Sequence, residues 1–153
     1  MIGILFTLAV MAITTVVTNG EVCVSVNGKT CACGISGNWT NELGSTMLLN
    51  CQLTSSTAGL LNGSYRSAVG QASDFYTLAG TYTKVNSDYI LGFSVAWNNK
   101  VHGNSKSATS WTGVYYADQD KITTFWILTR YTTPANMWNN SNIGNNIFIR
   151  QNL

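Results

Sequence analysis

Tyr89-Ile-Leu-Gly-Phe-Ser-Val-Ala-Trp97 decides the fold class. Large apolar side chains recur at every second position, the period of a strand with one buried face. The same reading extends outward in both directions. Residues 108–117 alternate again, and residues 122–131 and 143–150 complete the set downstream. Upstream, residues 37–43 alternate until Gly44-Ser45 breaks them, and residues 46–53, 60–68 and 75–82 are strand-like, with a polar turn over 54–59. The one short helical candidate is residues 133–138, with Thr133 as N-cap and Pro134 at the first helical position. About eight strands spaced roughly 8–15 residues apart and joined by Gly, Asn, Ser and Asp turns predict an all-β domain. A sandwich and an up-and-down barrel both satisfy this pattern. An eight-stranded barrel has room inside for one small ligand.

The 153 residues fit one domain. Charged residues make up 9%, against about a quarter in an average protein. The net charge is +2 and the eight Lys and Arg are scattered singly, so no phosphate-tracking stripe exists and nucleic acid is excluded as a partner. A hydrophobic content of 45% excludes a disordered chain. Residues 2–17 are almost wholly apolar, too short for a membrane span of about 20 residues. They read as the core of a secretory signal over residues 1–20, although no Lys or Arg precedes them. The expectation is a secreted protein with no membrane attachment after cleavage. Cys23, Cys31, Cys33 and Cys51 then read as disulfides, with three pairings open and Cys31–Cys33 the strained one. Asn27-Gly28 marks a possible extra hairpin in an N-terminal extension, residues 21–34, before a main domain over 35–153. Asn38, Asn62 and Asn139 open N-x-S/T sequons and are candidate glycan sites.

Trp97, Trp111, Trp126 and Trp138 are interleaved with Ser, Thr and Asn. That mixture predicts a cavity walled by indoles and furnished with fixed polar groups. Catalysis is disfavoured. The single histidine, His102, lies in a polar loop, no G-x-S-x-G occurs, and no two of the six acids read as an acid–base pair. Asp118 and Asp120 flank Gln119 in a turn and read as solvated. A metal site is disfavoured too, because no C-x-x-C accompanies the lone histidine.

Seven runs carry a resemblance. They are Gly37-Asn-Trp-Thr-Asn-Glu-Leu-Gly-Ser45, Gly63-Ser-Tyr-Arg-Ser-Ala-Val-Gly-Gln71, Gly92-Phe-Ser-Val-Ala-Trp97, Ser107-Ala-Thr-Ser-Trp-Thr-Gly113, Thr124-Phe-Trp-Ile-Leu-Thr129, Thr133-Pro-Ala-Asn-Met-Trp138 and Gly144-Asn-Asn-Ile-Phe148. In order and spacing they resemble the avidin and streptavidin family over nearly the whole mature chain. The resemblance implies an eight-stranded antiparallel up-and-down β-barrel that binds biotin at one open end, usually as a homotetramer. It implies that the ureido oxygen accepts from Asn41, Ser45 and Tyr65, and that the ureido N–H groups meet Ser67 and Asn146. Thr109 would meet the thioether sulfur. Trp97, Trp111 and Trp126 would wall the ring system, with Leu43, Val69 and Leu128 packing nearby. Ser107 and the Gln71 backbone would hold the valerate carboxylate, and Trp138 would close a neighbouring subunit's pocket. Trp39 matches a structural tryptophan.

Two departures from the family pattern stand out. Cys33 matches a family cysteine whose partner position is Val114 here, so the disulfide connectivity is not inherited. The connection between Trp97 and Ser107 is longer than in streptavidin, beside the implied carboxylate contacts. At Asn146 the chain follows avidin, which removes a buried negative charge. The leading expectation is non-catalytic biotin binding, with vitamin sequestration for defence and no further cofactor. The alternatives are an avidin-like assembly module with another ligand or none, a lipocalin-like carrier with an apolar interior, and a hydrolase of biotin esters or amides.

Overall fold

The structure is a computed structural model that describes residues 14–18, 21–25, 33–70, 74–97 and 106–151. Gln71, His102, Cys31 and the Asn27-Gly28 turn lie outside the described residues. The chain divides into the units Met1–Cys31 and Ala32–Leu153. In the first, β1 (Thr14–Thr18) pairs antiparallel with β2 (Glu21–Ser25).

The second unit contains β3 (Gly37–Asn41), β4 (Thr46–Leu53), β5 (Ala58–Arg66), β6 (Tyr76–Val85), β7 (Asp88–Trp97), β8 (Ser107–Tyr116), β9 (Lys121–Arg130) and β10 (Ser141–Arg150). Each strand pairs antiparallel with the next, and β10 returns to β3 to close a barrel. The closing register is Phe148 with Asn41, Ile149 with Thr40 and Arg150 with Trp39. That pairing joins the two ends of the domain and decides for the barrel over the sandwich.

Alternation places Tyr89, Leu91, Phe93 and Val95 of β7 inside the barrel, with Leu78 and Tyr82 of β6, Trp111 and Tyr115 of β8, and Phe148 of β10. The connections β3–β4, β5–β6, β7–β8 and β9–β10 all emerge at one end, which is the mouth. At the opposite end Trp39 is fully buried, and its indole Nε1 donates to the Ile35 carbonyl at 3.1 Å. Its ring meets Tyr115 edge-on, with centroids 5.9 Å apart. Removing so large a buried side chain would cost about 3–5 kcal/mol.

Arg150 seals that end. Its guanidinium lies 4.3 Å above the Trp39 ring, its Nε donates to both Asp120 carboxylate oxygens, and its Nη1 and Nη2 donate to the carbonyls of Ser36 and Gly34. Asp120 therefore departs from the solvated turn expected of it. It also accepts from the Tyr115 hydroxyl at 3.0 Å. The Arg150 bond holds the Asp120 carboxyl below its ordinary range; partial burial opposes this and the Tyr115 bond assists it. Cys33 is joined to Cys51 with a Cα–Cα distance of 5.7 Å, which ties the segment before β3 to β4. Of the pairings left open by the sequence, the strained Cys31–Cys33 link is thereby excluded.

The expected short helix is a 3-10 segment over Pro134–Asn139 with Pro at its start. Thr133 occupies the N-cap position without capping a backbone N–H. Its hydroxyl instead accepts from the Asn136 side chain at 3.3 Å.

Candidate functional site

The turn from β3 into β4 builds one side of the mouth. Gly44 adopts φ of 82°, a left-handed conformation that glycine reaches without strain, and it tightens the turn. The Asn41 side-chain oxygen accepts from the backbone N–H groups of Leu43 and Ser45, at 3.1 and 2.8 Å. The amide is thus oriented by its own turn, which leaves Nδ2 as the end that can donate to a guest. Ser45 is buried, and its Oγ accepts from the backbone N–H of Ala68 at 3.0 Å, which leaves its hydroxyl proton to donate toward the neighbouring Tyr65 oxygen or to a guest.

Tyr65, inward on β5, is 3% exposed. Its ring is tilted against Trp111 at 5.0 Å and edge-on to Trp97 at 5.8 Å. Burial raises the pKa of its phenol, the Ser45 side chain opposes this, and the negative charge of Glu42 adds to it. The phenol is therefore a protonated donor at neutral pH. Asn41, Ser45 and Tyr65 together give one side of the mouth three donors.

The acceptor stands on β10. Asn146 is buried, and its Oδ1 accepts from the Trp111 indole Nε1 at 3.3 Å. On β7 and β8, Trp97 Nε1 donates to the Thr109 hydroxyl at 2.7 Å. That hydroxyl accepts from the indole and keeps its own proton for another acceptor. Phe93 stacks on Trp111 at 5.1 Å with an interplanar angle of 16°, and Tyr76 packs edge-on to Trp97 at 5.1 Å.

The remaining expected residues sit around this centre. Trp126 pairs with Trp111 across the β8–β9 register and is half-buried, as is Leu128, which faces Thr109. Ser107 is half-buried opposite Trp97. Ser67 donates to the Val69 carbonyl at 2.8 Å in the β5–β6 connection. Leu43 and Val69 are exposed at the rim, and Trp138 on the 3-10 segment is 81% exposed.

Sequence reasoning missed three participants. Phe93 and Tyr76 were readable from their inward period-2 positions. Glu42 carried no such signal, because it lies in a turn between Asn41 and Leu43. Its carboxylate Oε1 accepts from Asn146 Nδ2 at 2.6 Å, and Oε2 accepts from the backbone N–H of Ile147 at 3.0 Å. Partial burial pulls its pKa up, but these bonds outweigh that and hold it below its ordinary value.

The interior is not apolar throughout. Asn41, Ser45, Thr109, Thr124 and Asn146 are all buried, contrary to what a lipocalin-like carrier requires. Among the described residues, no three His, Cys, Asp or Glu converge as a metal set. The outer face of β8, β9 and β10 carries an apolar groove of about 510 Å³, bordered by Phe125, Ile127 and Ile143. Phe125 and Ile143 are 68% and 80% exposed there.

Residues 29–151 match the family model described as the avidin family. The chain is 30% identical over 125 residues to avidin-related protein 4/5 of Gallus gallus, covering 77% of this chain and 78% of that protein. It is also 30% identical over 127 residues to avidin of Gallus gallus, with 77% and 78% covered. Avidin-related protein 1 of the same organism is 29% identical over 126 residues, with 78% and 79% covered.

Proposed function

The chain belongs to the avidin family, and from that premise we propose that it is a secreted, non-catalytic biotin-binding protein. One observation carries the reading. Asn41 Nδ2, the Ser45 hydroxyl and the Tyr65 phenol offer three donors, and Asn146 Oδ1 offers an acceptor, in one aromatic-walled mouth. A cyclic urea is the complement of that set, with one carbonyl oxygen flanked by N–H groups. Three donors on one oxygen favour charge separation in the urea, as an oxyanion hole does, with no bond broken. The Thr109 hydroxyl, already accepting from Trp97, has its proton free for the thioether sulfur. Ser67 and the Gln71 backbone belong to the same reading, the latter with Ser107 at the valerate carboxylate.

The apolar run over residues 2–17, read as a secretory signal, and the sequons at Asn38, Asn62 and Asn139 support a secreted glycoprotein, and sequestering the vitamin for defence is the role this reading gives it. The apolar outer face at Phe125, Ile127 and Ile143 supports assembly into a homotetramer, since large exposed apolar patches mark interaction surfaces. In that assembly Trp138, exposed on its own chain, would close a neighbour's pocket. Titrating the protein with biotin while recording tryptophan emission tests the reading. A saturable shift is expected, because Trp97, Trp111 and Trp126 wall the site, and unchanged emission would contradict it.

A further inference from the structure

Asn146 is held at both ends of its amide by groups of fixed hydrogen-bonding sense. The Trp111 indole N–H can only donate, and it reaches Oδ1. An ionised Glu42 carboxylate can only accept, and it accepts the hydrogen bond that Asn146 Nδ2 donates across 2.6 Å. Turning the amide over would set oxygen against carboxylate and N–H against N–H, so one orientation survives. The second Glu42 oxygen is anchored by the Ile147 N–H on the same strand, which fixes the carboxylate in turn.

We propose that Glu42 is a positioning residue for the ligand pocket: its carboxylate locks the Asn146 amide with Oδ1 turned to the cavity, and so selects a guest with an N–H at that point. The proposal rests on the reading of the mouth as a cyclic-urea site. Its second element is polarisation. A carboxylate on Nδ2 pushes electron density toward Oδ1 and makes it a stronger acceptor, because linked hydrogen bonds reinforce one another. Asn146 carries no charge of its own, yet a negative charge stands directly behind it, at the edge of the site rather than inside it. The desolvation of a fully buried anion is thereby avoided.

The clamp is sensitive to acid. A protonated Glu42 becomes a donor at one oxygen and loses its fixed sense, so the amide orientation relaxes. Among the described residues the titratable group acting on Glu42 is the Tyr65 phenol of β5, which stays neutral through the acid range. From β10 the neutral Asn146 side chain and the Ile147 N–H face it. Asp120 also titrates in acid, but at the opposite end of the barrel, and it is common to every variant below.

The test is the biotin dissociation rate of the full protein, E42Q and E42A, measured between pH 3 and pH 8. At neutral pH, E42A should release biotin about tenfold faster, the worth of one charge-assisted bond, and E42Q, which like the protonated acid has one donor and one acceptor and no charge, should also release it faster than wild type. Wild-type release should accelerate as pH falls through the lowered Glu42 value, beneath the ordinary glutamate value of 4.5, and E42Q should lack that added acceleration. An E42A rate equal to wild type, or an acid limb as steep in E42Q as in wild type, overturns the proposal. The side-chain NH2 protons of Asn146, followed by NMR in the ligand-free protein, separate this from the functional reading. They should move with pH in wild type and stay fixed in E42Q. If biotin does not bind at all, the functional reading fails while this titration still decides the clamp, and pH-invariant Asn146 protons would refute it.

Discussion

The Trp97 indole donates its N–H to the Thr109 hydroxyl across 2.7 Å, linking inward side chains of β7 and β8 at the barrel mouth. The bond sets the face of the indole and commits the hydroxyl as acceptor. Thr109→Val keeps the shape and removes the acceptor, leaving a half-buried N–H without a partner. That loss costs about 1–3 kcal/mol. Biotin affinity should fall by roughly 10- to 100-fold with the barrel still folded, which calorimetric titration alongside circular dichroism would record. Unaltered affinity would show that the Trp97–Thr109 bond does not organise the pocket.

Gly144 makes room for Trp126. A methyl group at this position would stand inside contact distance of the Trp126 ring, 2.7 Å from its Cε2. Gly144→Ala should therefore push the indole out of the wall, weaken ligand binding and shift tryptophan emission to the red. Overpacking of this kind costs about 1–3 kcal/mol, readable as a lower urea midpoint. A variant with native emission and affinity would mean that Trp126 yields without consequence.

At the closed end, Asp120 links acid to stability. Its pKa is lowered in the folded chain, chiefly by Arg150, so its contribution is fully present above the unfolded value of 3.8 and is lost as pH falls through the folded value. Asp120 is 46% exposed, and solvent screening limits the bridge to roughly 0.5–1 kcal/mol. Urea unfolding of wild type against Asp120→Asn should differ by that amount at pH 7 and converge as pH falls below the folded value. A difference that persisted in acid would place the effect outside the ion pair.

Cys33 and Cys51 are 18 residues apart in sequence, and closing a loop of that length stabilises a domain by about 3 kcal/mol. The double variant Cys33→Ala/Cys51→Ala should lose about this much in urea unfolding and retain the ligand site, since the disulfide lies at the closed end. A loss under about 1 kcal/mol would mean that the Arg150 clamp alone secures the N-terminal segment.

The strands of this barrel were legible because each inward face repeats at period two, most clearly in Tyr89, Leu91, Phe93, Val95 and Trp97. Closure was not, since Phe148 meets Asn41 across more than a hundred residues and alternation carries no pairing information. The donor side of the site was reached through resemblance rather than periodicity. Ser45 and Asn41 look like turn residues until their side chains are seen buried. Glu42 and Asp120 escaped for one shared reason. Acidic residues in turns are usually solvated, and only the distant partners Asn146 and Arg150 give these two a defined place. The Cys33–Cys51 link had no local signature either, because three pairings satisfied the same four cysteines.

The central claim is that the barrel mouth receives a cyclic urea through Asn41, Ser45, Tyr65 and Asn146. Isothermal titration of the purified protein with biotin tests it most directly. The expected result is exothermic saturation at one biotin per chain, with the heat reduced when Ser45→Ala and Tyr65→Phe remove two of the three donors. Absence of heat and of saturation in the folded wild-type protein would contradict the account.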